Sequence, residues 1–65
     1  MTKRIVDVFL QDRLVAAYPI VIALDRPVVD DDFVEHAKAR MRGGTYPEDE
    51  IARARFIVRS VLDRT

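Results

Sequence analysis

Two apolar runs open the chain: Arg4–Leu10 (RIVDVFL) and Leu14–Leu24 (LVAAYPIVIAL), with the polar stretch Gln11-Asp12-Arg13 between them. Both are rich in β-branched and aromatic residues, so they predict an antiparallel β-hairpin. The connection has no glycine, which makes Asp12 the residue suited to a positive φ. A three-residue loop over Gln11–Arg13 pairs Leu10 with Leu14, Val8 with Ala16, Val6 with Tyr18 and Arg4 with Ile20. That register gathers Val6, Val8, Leu10, Leu14, Ala16, Tyr18 and Ile20 on one face. Ile5, Asp7, Phe9, Val15, Ala17, Pro19 and Val21 fall on the other. Pro19 has no amide proton for a ladder, so its place is an edge or a bulge.

After Asp25-Arg26-Pro27 the period changes. Asp30 is the expected N-cap of a helix, Asp31 and Asp32 place negative charge in its first turn, and Val29 can staple onto Val34. Phe33, Val34, Ala37 and Met41 share a face, while Glu35, Lys38 and Arg42 point away from it. Arg40 and Arg42 fit the last turn, with Gly43 expected just past the end. Thr45 and Glu48 then have capping-box spacing, with Pro47 in the first turn of a second helix. Ile51, Ala54, Ile57, Val58, Val61 and Leu62 extend a helical stripe through this segment. The β-prone Phe56-Ile57-Val58 supports an alternative, a short helix followed by a third strand from about Arg55 to Leu62. The fold class is therefore a single small α+β domain: a hairpin packed against two helices (ββαα), with ββαβ as the alternative.

Composition narrows the function classes. The 65 residues include eleven Lys and Arg against eleven Asp and Glu, a net charge of zero. Nucleic-acid and membrane-surface binders usually carry a basic excess, so neither partner is expected. The longest apolar run is interrupted by Pro19 and is far shorter than the roughly 20 residues of a membrane-spanning helix. Lys3 and Arg4 precede an apolar run that Asp7 breaks too early for a secretory signal. A cytoplasmic location is the expectation. There is no cysteine, hence no disulfide or thiolate metal site.

Candidate chemistry is sparse. His36 is the only histidine, placed on the first helix one turn from Asp32 and Arg40, and one helix face supplies neither a metal shell nor an oriented base. Asp30-Asp31-Asp32 diverge by about 100° per residue on a helix and serve as dipole partners rather than converging on a cation. Gly43-Gly44-Thr45 lacks the preceding strand, spaced glycines and lysine of a phosphate loop. Ser60 is the sole serine and lies far in sequence from His36. No catalytic, cofactor or metal site is expected, and the chain reads as a non-enzymatic module.

Two surfaces remain. One layer of helices covers one hairpin face, leaving Ile5, Phe9, Val15 and Val21 on the other; contiguous apolar groups of this kind mark partner surfaces. A chain of this size without disulfides or metal gains stability from association, so a homodimer centred on Phe9, Val15 and Val21 is expected. An unidentified protein partner is left open. The alternative function is a weak nucleic-acid-binding dimer whose phosphate contacts are Arg53, Arg55 and Arg59. The ribbon-helix-helix class of DNA-binding dimers is its architectural comparison, with one strand per subunit in the major groove. Two long apolar strands set this chain apart from that class.

Overall fold

The computed structural model describes residues 2–60. Its elements run β1 (Thr2–Leu10), β2 (Arg13–Ile22), α1 (Asp30–Gly43), α2 (Glu48–Arg53) and β3 (Arg55–Ser60). The sheet order is β2-β1-β3, with β1 antiparallel to both neighbours. The α+β hairpin-and-helix architecture expected from the sequence is present, and the alternative third strand completes it.

The hairpin follows the expected register through most of its length: Arg4 faces Ile20, Val6 faces Tyr18 and Val8 faces Ala16. At the tip it departs. Phe9 pairs with Leu14 and Leu10 with Arg13, so the turn has two residues and one extra residue, Val15, is bulged into β2. Gln11 and Asp12 both adopt positive φ, 52° and 63°, the backbone of a type I′ turn, whose twist matches that of the flanking strands. The chain thus takes the twist-compatible two-residue turn and absorbs the spare residue in a bulge, in place of the three-residue loop.

Even-numbered strand positions form the packed face. Val6, Val8, Ile20 and Ile22 meet Phe33, Ala37 and Met41 of α1 and Ile51 of α2, all of them buried. Fully burying a side chain such as Phe33 or Met41 stabilises by about 1.5–3 kcal/mol. Tyr18 and Phe56 bridge the two halves of this core. Burial and the nearby Tyr46 hydroxyl raise the Tyr18 pKa, against a smaller lowering by Arg40. Arg40 lies 5.9 Å from the Tyr18 ring centre and reaches the Pro19 carbonyl at 3.5 Å. Pro19 therefore sits on the outer edge strand, where its missing donor leaves no gap in the ladder.

Helix ends differ in detail from the sequence expectation. Val29, not Asp30, is the N-cap residue of α1, and it is exposed rather than stapled onto Val34; Val28, one residue earlier, packs against the core cluster that holds Phe33. Asp32 fixes the helix start: its carboxylate accepts the Val29 N–H at 2.9 Å and a two-pronged contact from Arg26 at 2.6 and 3.1 Å. At the other end Gly43 is still helical and Gly44 is the cap. The left-handed residue is Thr45, at φ 72°. That places Thr45 outside α2, whose cap is Pro47, and Glu48 accepts from Arg42 Nε at 2.7 Å instead of closing a capping box.

The helical stripe expected beyond Ile51 stops at Arg53. Ala54 turns extended, and Phe56 and Val58 join the packed face of β1 opposite Val8 and Val6. The deciding influence is tertiary: β1 offers a second ladder edge, and residues 55–60 are β-branched and aromatic enough to take it. Val61 and Leu62, the rest of the expected stripe, lie outside the described residues.

Candidate functional site

Both helices pack on the even-numbered face, so the odd-numbered face of the sheet has no layer over it among the described residues. β1 contributes Ile5, Asp7 and Phe9, and β2 contributes Leu14, Ala17, Pro19 and Val21. β3 adds Arg55, Ile57 and Arg59. Across the strands these fall into rows: Pro19, Ile5 and Arg59; then Ala17, Asp7 and Ile57; then Leu14, Phe9 and Arg55. Leu14 is 59% exposed, Val21 52% and Ile57 42%.

Three of the four expected interface residues, Ile5, Phe9 and Val21, lie on this face. Val15 does not. The bulge turns it to the helix side, where it lines a hollow with Leu10, Arg13, Glu50 and Arg53. The same bulge brings Leu14 onto the open face opposite Phe9. Leu14 and Ile57 are the members the sequence pattern missed. Leu14 was masked by the bulge, and Ile57 by a stripe that fits helical period as well as alternation.

One charge pair crosses the face. Arg59 donates to Asp7 through Nε at 2.7 Å and Nη2 at 3.2 Å, a bidentate fork that raises the Arg59 pKa by hydrogen bonding and charge. Arg55 lies 6.0 Å from the Phe9 ring centre and 3.7 Å from Asp12. Arg53 stands apart on α2, 3.4 Å from Asp49. The three arginines expected to contact phosphates are thus divided between two sides of the molecule, each with a carboxylate in reach. His36 is exposed, and among the described residues no cluster of histidine and carboxylates has metal-binding geometry. What the open face offers is apolar side chains interleaved with Lys3, Arg55 and the fixed Asp7–Arg59 pair, an arrangement that suits association.

No described helix is long and apolar enough to cross a membrane. No protein-family model, curated protein or solved structure matches this chain.

Proposed function

We propose that the protein is a non-enzymatic interaction module that self-associates through the open sheet face. The observation that carries this is the one-sided packing among the described residues: two helices bury the even positions, while Phe9, Leu14 and Ile57 neighbour one another on the bare side and Val21 stands further along it, opposite Lys3. A second copy is the partner that matches such a face. Related by a two-fold axis, it sets the apolar side chains of one face against those of the other and brings a second Asp7–Arg59 pair beside the first. Two strands of about 30 Å and a shorter one of about 20 Å, spaced about 4.8 Å apart, present roughly 400 Å² per copy, or about 800 Å² in a pair. That is below the ~1,200–2,000 Å² of stable complexes and places the dimer in the weak, concentration-dependent class. The setting proposed is the cytoplasm, where domains lack disulfides and small ones rely on packing and association.

Sedimentation across a dilution series tests the proposal. Wild type shifts from monomer to dimer as concentration rises, and Phe9→Asp stays monomeric and folded. A wild type that remains monomeric at the highest concentration overturns it. Tight binding of duplex DNA or single-stranded RNA that weakens steeply with salt would replace it with the nucleic-acid alternative.

A further inference from the structure

The hairpin tip and α2 enclose a hollow of about 440 Å³, lined by Leu10, Gln11, Arg13, Val15, Glu50 and Arg53. It opens on the helix-bearing side, so association through the open sheet face leaves it accessible. Three features meet here. The tight turn at Gln11 and Asp12 sets Leu10 and Arg13 side by side at the edge of the space. The bulge delivers Val15 beside Leu10 as an apolar floor, and bulges often re-aim side chains toward such sites. Finally, two opposite charges border the same space without ion-pair partners among the described residues: the exposed Arg13 and the half-buried Glu50. Arg53 is engaged by Asp49.

One available cation and one available anion over an apolar floor match a small zwitterion with an apolar body. We propose that the hollow binds a free apolar α-amino acid of about leucine size. The Arg13 fork takes the carboxylate, as its planar donors favour. Glu50 accepts from the ammonium group, and Leu10 and Val15 cover the side chain. The volume lies within the ~300–1,000 Å³ of small-molecule sites. A peptide terminus fits less well, because an end residue carries only one of the two charges.

An NMR titration of the full chain with L-leucine, leucinamide, N-acetyl-leucine and a peptide ending in leucine tests this. Leucine shifts the amide resonances of Leu10, Gln11, Val15 and Glu50, with an affinity of about millimolar for so few atoms. Leucinamide, which lacks the carboxylate, and N-acetyl-leucine, which lacks the ammonium, each bind at least about tenfold more weakly. Arg13→Gln weakens leucine by a similar factor without changing leucinamide, and Glu50→Gln does the same with respect to N-acetyl-leucine. Both are surface substitutions, and unchanged resonances in the core report that the fold is intact. Absence of shifts with leucine, equal binding of all the ligands, or shifts confined to the open sheet face would overturn the proposal.

Discussion

Asp12 and Asp32 show how single residues set this fold. Asp12 occupies the second position of the type I′ turn at φ 63°, a conformation that costs a β-carbon-bearing residue and suits glycine. Asp12→Gly is expected to stabilise the domain by roughly 0.5–1 kcal/mol, since the ion pair it removes, 3.7 Å to Arg55, is exposed and worth little. Urea unfolding below the association range measures it; a destabilised variant contradicts the turn assignment. Asp32 acts through charge. The hydrogen bond from Arg26, followed by that from the Val29 amide, lowers its pKa below the ordinary carboxylate value. The depressed folded value means that its contribution is complete above the unfolded pKa and is lost as pH falls through the folded one. Asp32→Asn should therefore be less stable than wild type at neutral pH, with the gap closing in acid. A difference that persists unchanged at low pH would assign the effect to packing.

At the scale of elements, what was legible in the sequence follows from how local each signal is. The hairpin and α1 were readable because Val6, Val8, Phe33, Ala37 and Met41 repeat at periods that only one packing satisfies. The tip was not: nothing in Leu10–Val15 distinguishes a three-residue loop from a two-residue turn plus bulge, yet that choice exchanges Val15 for Leu14 on the open face. β3 was ambiguous because Ile57 is apolar on both patterns, and its state is set by the empty ladder edge of β1 rather than by its own residues. A pair of truncations separates the two patterns. In the strand, Val58 faces the core and Ile57 faces out. Val58→Ala should cost about 1 kcal/mol or more, and Ile57→Ala less when the protein is monomeric. Equal costs from chemical denaturation would fit a helix with both residues on its stripe.

Taken whole, the described residues form a slab of 35 × 26 × 16 Å, and the thin dimension is that of one sheet plus one layer of helices. A two-layer slab of this size has a core on one side of its sheet only, and its stability is correspondingly small: about 3–10 kcal/mol on the usual per-residue scale. Covering the second face is then a linkage effect, because a dimer that forms only from folded chains adds stability that grows with protein concentration. The thermal midpoint of wild type should accordingly rise on concentrating the sample. Phe9→Asp, which places a charge on the central strand between Leu14 and Arg55, should abolish that dependence while leaving the even-face core intact. Ile57→Lys on β3, which avoids a second carboxylate opposite Asp7, should do the same. Leu14 supplies the control for geometry: Leu14→Asp weakens association if the bulge has put it on the open face, whereas Val15→Asp, turned toward the hollow, leaves association in place. A reversed order, with Val15→Asp the damaging change, would show that the tip adopts the three-residue loop in solution and that the interface is built on the unbulged register.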